Sequence, residues 1–176
     1  MKKITQFCSL FILAAGLSSC SKNGVSDNAR NEFNPSVLSQ EMQPAKLVSG
    51  QLLYMPVYSN VPYDIDTVKF DMSAFIAIHN TDIFKTITLT RVLYFDQDGK
   101  LVNDYLRKGA VKIGPLATRD FYVPYADQSG TGANFLIEWI ADTLVCEPLI
   151  ESVTTCLKPN NTLAIISEGK IIREKK

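Results

Sequence analysis

The chain has 176 residues, 46% of them hydrophobic and 20% charged, with 18 basic residues against 18 acidic ones. A balance this even, with no basic block, leaves no footprint for nucleic acid. No stretch reaches the ~20 apolar residues that a membrane-spanning helix requires.

The chain starts MKKITQFCSLFILAAGLSSC, with two lysines, an apolar run from Ile4 to Leu17, and small residues leading into Cys20. That order predicts a secretory signal over residues 1–19. Leu17, Ser18, Ser19 and Cys20 resemble the bacterial lipobox. The resemblance implies that Cys20 carries lipid and anchors the mature chain to a membrane, extracytoplasmic in the bacterial cell envelope and most simply on its periplasmic face. The alternative is an ordinary secretory signal in which Cys20 is incidental. One acyl chain holds only marginally, whereas the triacylated cysteine implied here holds firmly. With Lys2 and Lys3 removed, acidic residues outnumber basic ones by two.

Residues 20–46 hold Cys20 and then a polar stretch rich in Asn, Ser and Pro without sustained period. They read as a tether whose coil reach is about 28 Å. Residues 47–170 are expected to form a single domain large enough for a real core. Residues 171–176, IIREKK, read as a solvated basic tail.

Within the domain the apolar residues alternate at period two. In VKFDMSAFIAI, Phe70, Met72, Ala74, Ile76 and Ile78 share one face, as a half-buried strand requires. TITLTRVLYF (86–95) is dense in β-branched and aromatic residues, reaches Asp96-Gln97-Asp98-Gly99, and resumes as KLVNDYLR, which predicts a hairpin. Further strands are expected at 51–58, 119–125, 133–142, 149–157 and 162–168, separated by Gly, Pro, Asn and Asp clusters. About 7 to 8 short strands with such spacing predict an all-β, immunoglobulin-like antiparallel β-sandwich. A small closed β-barrel is the alternative.

The candidate chemistry is sparse. SGTGANFLIEW (129–139) has the glycines of a phosphate loop, which needs a helix N-terminus directly after them. Instead Phe135, Ile137, Trp139 and Ala141 alternate with Leu136, Glu138, Ile140 and Asp142, as in a strand. A loop pinned by Asn134 is the simpler reading. His79 is the only histidine, and HNTD looks like turn chemistry. Asp96 to Gly99 lacks the glycine and glutamate spacing of a calcium loop, so neither a metal nor a cofactor is expected. Glu138, between Ile137 and Trp139 in a strand apolar on both faces, reads as a buried glutamate with a partner. Tyr54 and Tyr58 in YMPVYSNVPY belong to an edge strand or a binding ridge. Cys146 and Cys156 stand ten residues apart, too far along a continuous strand for a disulfide unless Cys146 folds back.

Six segments resemble the bacterial lipoproteins grouped as domain-of-unknown-function family 3124: LYMPVYSNV (53–61), IHNTD (78–82), ITLTRVLYFDQDGKLV (87–102), IGPLATRDFYV (113–123), SGTGANFLIEW (129–139) and EPLIESV (147–153). The resemblance implies an extracytoplasmic, all-β domain and supplies no reaction, ligand or catalytic residue. Two functional expectations result. The first is a non-catalytic interaction module that binds an envelope protein or glycan, with Asn134, Asp127, Tyr54, Tyr58 and Glu138 as candidate contacts. The second is an envelope hydrolase that pairs Glu138 with Asp127 or Asp142.

Overall fold

The computed structural model describes residues 48–63, 65–125, 127–158 and 161–175. The expected signal segment, Cys20 and the tether therefore lie outside the described residues. What is described is a β-sandwich of two antiparallel sheets and a small hairpin, with no helix and no closed barrel among the described residues.

Sheet I contains β1 (Ser49–Pro56), β5 (Ile87–Phe95), β6 (Leu101–Asp104), β7 (Val111–Ile113), β9 (Asn134–Ala141) and β12 (Lys170–Lys175), in the order β12-β1-β9-β5-β6, with β7 on the first half of β5. Sheet II contains β4 (Ser73–His79), β8 (Thr118–Val123), β10 (Leu149–Lys158) and β11 (Asn161–Glu168), in the order β11-β10-β4-β8. β2 (Asn60–Tyr63) and β3 (Ile65–Asp71) form the hairpin. Seven of the eight expected strands occur singly, the eighth is divided between β3 and β4, and β2, β7 and β12 are additional.

Alternation decides which side chains enter the core. Sheet I turns Leu53, Met55, Leu89, Val92, Phe135, Ile137 and Trp139 inward, and sheet II answers with Ala74, Ile76, Ile78, Phe121, Val123 and Ile150. In β5 the register shifts between Leu89 and Arg91. Such a bulge moves the inward phase by one residue, from Ile87 and Leu89 to Val92 and Tyr94, and it turns Arg91 outward. Four aromatic rings fill one part of the core. Phe135 lies 4.7 Å from Tyr94 and 5.6 Å from Tyr105, and Tyr105 meets Phe121 edge-on at 5.4 Å.

Two local expectations change. The run 68–78 is not one strand, because the Met72 amide donates to Ser59 O (2.8 Å) and hands the chain from the hairpin into sheet II. Met72, Ala74, Ile76 and Ile78 are buried as expected, while Phe70 stacks on Tyr63 in the hairpin at 4.6 Å. Residues 171–175 of the C-terminal basic segment are exposed, but with Lys170 they also form a strand, antiparallel to β1 from Gly50↔Lys175 to Tyr54↔Lys170.

The turns carry the chemistry their residues suggest. Asp96 Oδ1 accepts from the amides of Asp98 and Lys100, both at 2.9 Å, and Gly99 supplies a φ of 75°. A carboxylate oxygen committed to two backbone donors defines a capped turn.

Candidate functional site

The glycine loop is a clasp. The Gly130 amide donates to Ser59 Oγ (2.6 Å), Ser59 Oγ lies 3.1 Å from Gly130 O, and the Gln97 amide donates to Ser129 O (2.9 Å). Gly130 has a φ of 92°, and a Cβ there would run into the Gln97 side chain. The Gly130 amide is taken by Ser59 and the Ser129 amide by Asp127, so neither is aimed at an anion, and the loop joins β9 to the chain after β1. Asp127 belongs to the same clasp: its Oδ1 accepts from Tyr94 Oη (2.8 Å) and the Ser129 amide (2.9 Å). Burial, first of all, pushes the phenol of Tyr94 well above its ordinary range, and burial does the same for Tyr105. Both hydroxyls stay neutral hydrogen-bond donors, Tyr105 to Tyr122 O at 2.8 Å. Asn134 reaches back to Gly132 O at 3.4 Å, and Tyr58 is half-buried just before Ser59.

Glu138 projects from the outward face of sheet I and has two partners. Thr90 Oγ1 donates to its Oε2 (2.6 Å), and Arg91 Nε lies 3.4 Å from the same oxygen, with side-chain exposures of 19% for Arg91 and 5% for Glu138. Tyr54 is on this face too, opposite Leu136. The structure does not bring Glu138 to either proposed acid. Asp127 sits on the inward-facing Tyr94, and Asp142 lies four residues further along the chain, about 13 Å at strand rise. Cys146, exposed, and Cys156, buried, are both free thiols.

At the opposite end HNTD forms a hub. Asn80 Nδ2 lies within 3.0 Å of Lys85 O, Ile113 O and Gly114 O. Asp82 accepts from the amides of Phe84, Lys85 and Cys146 at 2.8 to 3.0 Å. Those bonds, Phe84 first, hold its carboxyl below the ordinary 3.8. A carboxylate with a depressed folded pKa contributes stability that is present above its unfolded value and lost as pH falls through the folded value. The Asp82→Asn variant is therefore expected to be less stable at pH 7, with the gap to the parent closing below about pH 4; urea midpoints measured from pH 7 to pH 2 check it. Nearby, a cavity of about 270 Å³ is lined by Ser49, Gln51, Trp139, Val145, Glu147 and Glu174, among others. Its centre is satisfied internally: Gln51 accepts from Trp139 Nε1 (3.1 Å) and donates to Glu147 (3.0 Å) and Glu174 (3.1 Å).

The outward face of sheet II carries an exposed apolar row. Registered pairing puts Ile166, Val153, Phe75 and Tyr122 in one row across all four strands. Ile166 is 69% exposed, Phe75 42% and Tyr122 54%. The row spans three strand spacings, about 14 Å. The next row holds Glu168, Glu151, Ala77 and Asp120, so three carboxylates border the apolar one. His79 Nε2 lies 3.9 Å from Glu151. None of these row residues was singled out in the sequence. Phe75 occupies the phase that Asp71 and Ser73 mark as polar, and only cross-strand register assembles the row.

This construction defines an antiparallel β-sandwich domain. The chain belongs to the protein family of unknown function DUF3124, whose model matches residues 50–172. No curated protein matches. Among solved structures, a crystal structure of Thermotoga maritima 1070 is similar over 68% of this chain and 92% of that one, at 12% identity and a TM-score of 0.44.

Proposed function

We propose that the protein is a lipid-anchored, non-catalytic interaction module of the bacterial cell envelope, held by lipid on Cys20, and that it binds a protein partner through the outward face of sheet II. The exposed row Ile166–Val153–Phe75–Tyr122 beside Glu168, Glu151 and Asp120 carries this reading. Monomeric soluble proteins seldom present a contiguous apolar row at the centre of a sheet face unless it meets something. The carboxylate border selects a partner with basic groups around an apolar centre. Two aliphatic side chains in the row favour a protein surface over a glycan, which stacks on flat aromatic faces. The lipobox resemblance supports the anchor.

Proximity crosslinking in intact cells tests this. A Phe75→Asp, Tyr122→Ser variant is expected to lose the labelled partner by about 30-fold, the effect of removing a central anchor worth about 2 kcal/mol. Cys20→Ser is expected to move the protein out of the membrane fraction. Labelling that survives the row substitutions removes sheet II as the docking face. Membrane retention of the Cys20→Ser chain removes the anchor.

A further inference from the structure

One edge of sheet II is open. β11 ends the order β11-β10-β4-β8, and its other side pairs with no strand among the described residues. Its pairing with β10 runs from Lys158↔Asn161 to Glu151↔Glu168 without a register shift, so alternate residues turn N–H and C=O groups toward an unbroken free edge. Residues 161–167, NTLAIIS, contain no charge and no proline, and LAII is a continuous apolar run. Such a run suits a strand with neighbours on both sides and cover on both faces. Here both faces meet solvent: Leu163, on the side of Cys156, is 37% exposed, and Ile166, on the opposite side, 69%. The other terminal strands are blunted in the ways that keep sheets from joining. β12 has four charged residues in six, β8 has Arg119 and Asp120, and β6 and β7 are only four and three residues long.

We propose that β11 is a dimerisation edge: it pairs antiparallel with β11 of a second copy about a two-fold axis within residues 163–166, which joins two four-stranded sheets into one. The strand's own composition selects this occupant. Antiparallel pairing of identical strands is self-complementary, and because 161–167 is uncharged it sets no like charges opposite each other. A two-fold at Ala164 puts Leu163 opposite Ile165 on one face, and a two-fold at Ile165 puts Ala164 opposite Ile166 on the other. Either register covers apolar side chains that now meet water. The partner inferred for the outward face of sheet II is basic, and this edge offers it no charge to read, so the two surfaces take different occupants. The edge is also held in place. At Gly169 the chain turns from β11 to β12 against Leu53 and Met55, and the Gly169 amide donates to Ile150 O (3.3 Å). A strand fixed in this way loses little freedom on pairing. The dimer does not depend on docking through sheet II. It leaves Phe75 and Tyr122 open and sets the rows of both copies on one face, where a partner with repeated epitopes is held twice.

Cysteine cross-linking of the full chain in intact cells tests this. The exposed Cys146 is first removed by Cys146→Ser, and Leu163→Cys, Ala164→Cys, Ile165→Cys and Ile166→Cys are then added one at a time and oxidised. A two-fold sets one residue opposite itself, whereas the residue beside it stands about 8 Å from its copy, beyond the disulfide limit of about 7 Å. One of the four positions is therefore expected to give a self-linked dimer at least about tenfold more abundantly than the position next to it. The purified chain, kept in detergent, is expected to sediment as a dimer. Thr162→Lys with Ala164→Lys is expected to return it to a monomer with an unchanged urea midpoint, since both positions are exposed and lie outside the row of Phe75 and Tyr122. If the lysines unfold the domain, Thr162→Glu with Ala164→Glu gives the same reading. No self-linked dimer in cells, equal linking at all four positions, or a dimer that survives the charged substitutions overturns the proposal. So does linking to a different protein, and so does a dimer that Phe75→Asp, Tyr122→Ser abolishes, which belongs to the sheet face instead of the edge.

Discussion

Replacing Phe135 by Ala is expected to destabilise the domain by about 4 kcal/mol, at the upper end of what a buried aromatic truncation removes. Phe135 is fully buried and touches both Tyr94 and Tyr105, so the cavity opens where the two sheets meet. Collapse around it is restricted, because Tyr94 is tied to Asp127 and Tyr105 to the Tyr122 carbonyl. The cavity term therefore adds to the lost transfer energy. Urea denaturation measures it as a fall in midpoint at unchanged slope. The same assay on Phe75→Ala provides the contrast. Phe75 is 42% exposed, and its truncation is expected to change stability by roughly 0.5 kcal/mol or less. A large loss at Phe75 would mean that the row on sheet II holds the fold together.

Arg91→Ala is expected to lower stability by about 3 kcal/mol, because it leaves the Glu138 carboxylate buried with Thr90 as its one remaining side-chain partner among the described residues. Most of that loss is the desolvation of an unpaired charge. The double variant Arg91→Met, Glu138→Leu removes both charges and extends the apolar cluster of Leu52, Leu93 and Leu136, so it is expected to return to within about 1 kcal/mol of the parent. Equal losses in the single and double variants would show that the pair itself stabilises the domain. Unfolding of all three chains at one pH and salt concentration separates these results.

The sandwich was legible because most strands keep a strict period of two. Phe135, Ile137 and Trp139 alternate with Leu136 and Glu138, and that phase survives unchanged in β9. The buried, partnered state of Glu138 was legible as well, since an acid flanked by Ile137 and Trp139 requires a counter-group. Its partner was not. The bulge at Thr90–Arg91 brings Arg91 outward opposite Glu138, and a one-residue shift inside TLTRV leaves no local signal. The row on sheet II was hidden for a related reason. Phe75, Tyr122, Val153 and Ile166 come from four strands, and their union depends on registers that no single strand encodes. The pairing of β12 with β1 is the same problem at its extreme, since it joins segments more than a hundred residues apart.

That last pairing determines how the domain bears a pull. β1 is bonded along both edges, to β9 on one side and β12 on the other. Under the proposed lipid anchor and docking through sheet II, tension would enter at Ser49 and run along the axis of β1. Ladder bonds lie across that axis, so they are sheared together instead of being unzipped one by one. The terminal strand, β12, thus serves as a second shear seam. A chain cut after Glu168 would carry the same tug on the β9 seam alone.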